Sequence, residues 1–302
     1  MMQVARETRA GLWLFMAVWV PMVLTTQAGD IEESLPRKEV DKTPYPCKEQ
    51  YHEDDITLWV KQHLQGLPDS RERPSLLLLL GGSGAGKGTF IDRWKQTDAS
   101  ASADGKKIKD FAFHGLDEYL QYVPEFKLSV EDPNHVYKDA ADACYGGAAI
   151  PAAKVANKEI VSRRIDTIYE ETGKNVDRIK KRVLPPFQEG GYRITVVLVH
   201  NDADTAIERA QGRFQRTGRY APEDYIRDTF KNNLESYMEL KKMGVAEEFV
   251  YCDNFDNAIR CWEDDGEEKD SDIVPSAVLE SGPAPAARGK ESAAPTPKGG
   301  EL

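Results

Sequence analysis

The chain has no C-x-x-C pair: its four cysteines, Cys47, Cys144, Cys252 and Cys261, stand far apart. That spacing argues against a zinc site, and leaves any pairing to be decided by compartment. A basic surplus is also missing. With 40 Lys and Arg against 51 Asp and Glu, the net charge is −11. This argues against a nucleic-acid partner, because the phosphate backbone rewards basic faces. Small-molecule phosphates stay open, since they need only a local positive site. No apolar run attains the ~20 residues of a membrane-spanning helix. Leu12 to Leu24 falls short of it, follows Arg6 and Arg9, and precedes Thr26-Gln27-Ala28. These are the parts of a secretory signal over residues 1–28, or of a membrane anchor if the segment is retained. Either way the remainder is expected in the secretory pathway, lumenal or secreted, where disulfides are permitted.

What is present centres on Leu76 to Leu80, five leucines followed at once by glycine. A short unbroken apolar run ended by Gly predicts a strand buried on both faces of a parallel sheet. Gly81-Gly82-Ser83-Gly84-Ala85-Gly86-Lys87-Gly88-Thr89 then fits the phosphate-loop pattern G-x-x-x-x-G-K. Glycines let backbone N–H groups approach a phosphate, the following helix adds its positive end, and lysine reaches the β- and γ-phosphates. Gly82, Ser83, Gly84, Ala85, Gly86, Lys87, Gly88 and Thr89 are the expected ATP-binding residues. Gly88 stands where Ser or Thr usually follows the lysine, so the hydroxyl for Mg²⁺ falls to Thr89.

Around this motif, residues 29–50 are charged and proline-bearing and predict a linker. Ile56, Trp59, Val60, His63 and Leu64 predict an amphipathic helix before Gly66 and Pro68. Further strands are expected at Phe111–His114, Ile165–Tyr169, Tyr192–Val199 and Glu248–Tyr251, the last of them, with helices over His135–Arg163, Val176–Phe187, Ala203–Gln215 and Pro222–Met243. Strands alternating with helices predict an α/β fold: a phosphate-loop kinase-like parallel sheet covered by helices on both faces. It occupies residues 51–262, and an acidic tail rich in Pro and Ala, expected to be disordered, follows over 263–302.

In an open α/β sheet, ligands bind outside the carboxyl ends of the strands. That edge receives Asp117 and Glu118 from the second strand, Glu170, Glu171 and Thr172 from the third, and His200, Asn201 and Asp202 from the fourth. Phosphoryl transfer to a hydroxyl needs a carboxylate to orient the acceptor and take its proton, and Asp117 is the first candidate; as a purely structural residue it would be a helix N-cap. Arg209, Arg213, Arg216 and Arg219 recur at spacings of four and three. On one helical face they form either a solvated stripe or a lid over a polyphosphate, with Arg213 and Arg219 the phosphate-binding candidates and Arg209 and Arg216 candidates for salt bridges.

The phosphate loop, Asp117 before Pro124-Glu125-Phe126, Glu170-x-Thr172, Gly191-Tyr192 and Arg213 through Thr217-Gly218-Arg219-Tyr220-Ala221-Pro222 together resemble the zeta-toxin-like kinases. The resemblance runs from about Leu76 to Asp256. Members of that family phosphorylate a hydroxyl using ATP and Mg²⁺, and bacterial members attack the 3′-hydroxyl of UDP-N-acetylglucosamine. The resemblance implies Asp117 as base, Lys87, Arg213 and Arg219 on the phosphates, and Glu118, Glu170 and Thr172 facing a small-molecule acceptor. Two other readings stand beside it. Gly-Lys-Gly-Thr also resembles the adenylate kinases, although Leu184-Pro185-Pro186-Phe187 is a poor substitute for their Phe-Pro-Arg element. The third reading is a non-catalytic nucleotide-binding scaffold.

Overall fold

The five leucines alternate between two cores. Leu76, Leu78 and Leu80 enter one apolar cluster, Leu77 and Leu79 enter the other, and none is exposed. Period-two alternation places successive side chains on opposite faces, so a strand apolar throughout needs cover on both. The computed structural model describes residues 47–69, 73–96, 107–131, 144–217, 221–255 and 258–263. The signal or anchor, most of the linker, the acidic tail beyond Glu263 and Arg219 all lie outside the described residues.

In chain order the elements are α1 (Glu53–His63), β1 (Ser75–Leu80), α2 (Lys87–Gln96), β2 (Ala112–His114), α3 (Leu116–Leu120), α4 (Pro124–Glu131), α5 (Ile150–Arg163) and β3 (Thr167–Glu171). They continue with α6 (Val176–Arg178), α7 (Leu184–Glu189), β4 (Arg193–His200), α8 (Ala203–Thr217), α9 (Glu223–Lys242), β5 (Glu248–Asp253) and β6 (Arg260–Glu263). The sheet order is β2-β3-β1-β4-β5-β6, with β1 central. All pairs are parallel except β5 with β6. Parallel pairing brings the carboxyl ends of β1 to β5 to one edge. The register Leu80↔Glu171 sets the phosphate loop beside the end of β3, and the Gly81 amide donates to the Glu171 carbonyl at 3.0 Å.

One core lies under α1, α3, α5, α7 and the far end of α9, where Tyr237 and Leu240 are buried. The other is built from Phe90, Ile91 and Trp94 of α2, Ala206, Ile207 and Ala210 of α8, and Ile226 and Phe230 of α9. Helices on both faces follow from strands apolar on both.

The structure corrects four expectations. The linker was placed over 29–50, but Cys47 is bridged to Cys144 and the Lys48 amide donates to the Tyr51 hydroxyl at 3.4 Å, so its end belongs to the fold. The last strand was set at Glu248–Tyr251 and the domain closed at 262. A further antiparallel strand, β6, runs to Glu263, with Cys252 opposite Cys261 and bridged to it. The third strand was expected to end at Tyr169, yet Glu170 and Glu171 pair within it. Finally, the helix over Val176–Phe187 is three pieces: α6, a π-turn at Ile179–Val183, and α7, whose first turn holds Pro185 and Pro186. Proline is tolerated in a first turn, where its missing N–H has no intrahelical partner to lose.

Candidate active site

The phosphate loop is built by exclusion of side chains. Gly84 (φ +83°) and Gly86 (φ +103°) occupy the left-handed region that favours glycine. A Cβ on Gly84 would collide with the Ala206 carbonyl of α8, and one on Gly86 with the Asn254 side chain. Buried polar groups fix the loop from behind. Asn254 donates to the Ala85 carbonyl at 2.9 Å and Asn201 to the Gly84 carbonyl at 3.3 Å. Lys87, at the start of α2, donates from Nζ to the Gly81 carbonyl at 2.7 Å and lies 3.9 Å from Glu170 Oε2. Thr89, on the same first helical turn, is exposed.

Two arginines of α8 come down on this loop, with different partners. Arg213 donates to the Ser83 hydroxyl at 2.7 Å, on the loop itself. Arg209 was expected in a salt bridge. It instead donates to the Asn254 carbonyl at 2.7 Å and to the Gly84 carbonyl at 3.4 Å, tying α8 to the loop and to the end of β5. Arg216 is exposed.

Beside the loop lies a cavity of about 220 Å³, whose wall includes Lys87, Asp117, Glu118, Glu170 and Thr172. Five residues expected at the site from sequence are thus brought to one cavity. Asp117 lies in the first turn of α3, whose N-cap is Gly115 rather than Asp117. It is exposed and accepts a hydrogen bond at 2.5 Å from the Tyr145 hydroxyl. Asp202, also placed at this edge, caps α8 by accepting from the Thr205 amide at 2.8 Å.

The same wall holds Glu171, a sixth residue expected at this edge, and His114, Tyr145, Tyr169, Arg178 and Tyr225, none of which had been assigned a role. Burial pushes the Tyr169 phenol up to about 12, so it is protonated at neutral pH. Burial raises the Glu171 carboxyl, while its ion pair with Arg178 opposes that shift. His114, fully buried and 2.5 Å from the Tyr119 hydroxyl, is pushed down to about 3, first by desolvation and then by His63. A neutral buried histidine and a protonated phenol thus share the cavity wall with the carboxylates of Asp117, Glu118 and Glu170.

The buried His114 and the half-buried His63 and His200 make stability depend on pH. His114, His63 and His200 are all lowered, with burial the first cause in each. Below the unfolded value of 6.5 the unfolded chain takes up protons that the folded chain refuses. Stability is therefore unaffected by these groups above 6.5 and falls as pH drops. For His114 the fall continues towards about 3, at up to ~1.4 kcal/mol per pH unit. Denaturant midpoints should drop between pH 7 and pH 5, and His114→Gln should flatten that slope.

The sequence profile of the family described as Zeta toxin matches residues 60–266. No curated protein matches the chain. Among solved structures, the fold is similar to one from the PezAT chromosomal toxin-antitoxin system of Streptococcus pneumoniae, with 17% identity and a TM-score of 0.57 over 77% of this chain and 91% of that one. It is also similar to the AvrRxo1-ORF1:AvrRxo1-ORF2 structure with sulphate ions, at 11% identity and TM-score 0.51, over 76% of this chain and 72% of that one. A second structure of that pair, with ATP, gives 10% identity and TM-score 0.50 over 70% and 63%. At such identities the structural likeness speaks for the fold, a phosphate-loop kinase-like α/β sheet. The family match covers well over half of the sequence, and on it the chain belongs to the zeta toxin family.

Proposed function

We propose that this protein is an ATP-dependent phosphotransferase that moves the γ-phosphoryl group to a hydroxyl of a small molecule, a nucleotide sugar such as UDP-N-acetylglucosamine being the first acceptor to try. The observation that carries this reading is the shared cavity, where the phosphate-loop lysine and Asp117 line one space of about 220 Å³. Family membership and the likeness to a fold seen with ATP support it.

In this reading the amides of residues 82–89 and Lys87 hold the polyphosphate, and Arg213 extends from Ser83 to the transferring group. The glycine-rich loop and the exposed Thr89 hydroxyl fit a Mg-nucleotide, since Mg²⁺ keeps most of its waters and takes few protein ligands. Bound there, Mg²⁺ would neutralise phosphate charge. Asp117 orients the acceptor hydroxyl and takes its proton as that oxygen bonds to the γ-phosphorus and the bond to ADP breaks. Glu118, Glu170 and Thr172 supply hydrogen-bond partners for the acceptor. In the resting arrangement Glu170 faces Lys87, and an incoming phosphate would compete for that lysine.

We further place the domain in an oxidising compartment. Its four cysteines form two bridges, Cys47–Cys144 and Cys252–Cys261, which supports a lumenal or secreted protein. The test of function is incubation of purified protein with ATP, Mg²⁺ and a panel of nucleotide sugars, nucleosides and nucleoside monophosphates, read by mass spectrometry. A phosphorylated nucleotide sugar is expected. A nucleoside diphosphate made from its monophosphate would favour the adenylate-kinase-like reading, and ATP left intact with every acceptor would favour a binding scaffold.

A further inference from the structure

We propose that the Cys47–Cys144 disulfide holds Tyr145 in the cavity wall, where its hydroxyl positions the Asp117 carboxylate. The inference rests on the assignment of Asp117 as base. Tyr145 follows Cys144 directly and opens a π-turn, Tyr145–Ala149, that leads into α5. π-turns have poorer backbone geometry than α-helix and concentrate at functional sites. This one contains Gly146 and Gly147, whose backbone freedom makes order costly. Something outside the turn has to fix it.

Two contacts do so. Cys144 is fully buried and bridged to Cys47, 97 positions earlier in the chain. Gly147 lies so close to the same segment that a Cβ would collide with the carbonyl oxygens of Lys48 and Glu49. The segment around Cys47 is itself anchored, because the Tyr51 hydroxyl donates to Glu125 Oε2 of α4 at 2.6 Å. On its other side the turn presents the Tyr145 hydroxyl to Asp117 Oδ1 at 2.5 Å. A hydrogen bond donated to a carboxylate limits its rotation and favours its charged form. Tyr145 is thus a positioning residue, acting through Asp117, and the bridge is the strut behind it.

Tyr145→Phe keeps the ring and the bridge, while Cys47→Ser keeps Tyr145 and cuts the bridge. The carboxyl carbon of Asp117, assigned by its loss in Asp117→Asn, can be titrated by ¹³C NMR with no acceptor present. This readout is independent of whether the protein is a kinase. The other charged groups of that wall (Lys87, Glu118, Glu170, Glu171, Arg178) and the neutral His114 are the same in every variant. The Asp117 titration should move to higher pH by roughly half a unit to one unit in each single variant. The double variant should move no further than either single one. Once an acceptor is in hand, both singles should lose roughly tenfold in kcat with KM for ATP unchanged. An Asp117 titration unmoved by Tyr145→Phe, or unmoved by Cys47→Ser, overturns the proposal. So does a Cys47→Ser chain that fails to fold, because the bridge would then be a staple of the whole domain rather than a strut for one side chain.

Discussion

Asp117→Asn should lower phosphoryl transfer roughly 10²–10⁴-fold, about 3–5 kcal/mol of barrier, and leave ATP affinity unchanged. The asparagine keeps the shape of the side chain and a hydrogen-bond acceptor for Tyr145. It removes the charge that draws the proton from the acceptor hydroxyl. Asp117 sits in the first turn of α3 and is exposed, so the fold loses nothing by the change. Single-turnover transfer together with equilibrium ATP binding separates the two effects. Transfer at the wild-type rate would assign the base elsewhere, and Glu118 or Glu170 on the same wall would be examined next.

Lys87→Ala should weaken ATP binding roughly 10- to 100-fold, the loss of a charge-assisted contact worth about 1.5–3 kcal/mol, and bring transfer below detection. The lysine is half-buried against the Gly81 carbonyl and faces Glu170, so its removal also unbalances the wall. Calorimetry with Mg-ATP reads the affinity directly. An unaltered affinity would mean that the loop grips something other than a polyphosphate.

The residues that betrayed themselves in sequence did so by pattern. A run of five leucines ended by glycine reads as a strand covered on both sides, and glycine, lysine and threonine at fixed offsets after it read as a loop and a helix start. Asp117, Glu170 and Thr172 were located by the rule that parallel strands deliver their carboxyl ends to one edge, and all three line the cavity. Tyr145 was not legible, because its flanking Gly146-Gly147 reads as a break and a π-turn has no helical period to detect. Arg178 and Glu171 find each other only through the turn after β3. Asn201 and Asn254 secure the loop through backbone carbonyls, an interaction without a motif. The strand β6 is four residues long with charged ends, and what fixes it is its pairing and bridge with β5. Arg209 and Arg213 look alike along the stripe, and only the approach of α8 to the loop assigns one to backbone and the other to Ser83.

The central claim is that an ATP polyphosphate lies along residues 82–89 with its terminal phosphate turned towards Asp117. A crystal structure with Mg²⁺ and a non-hydrolysable ATP analogue tests it most directly. The account predicts the γ-phosphate between Lys87 and Arg213, on the side of the cavity that holds Asp117. A nucleotide bound away from that loop, or one whose terminal phosphate faces away from Asp117, would contradict it.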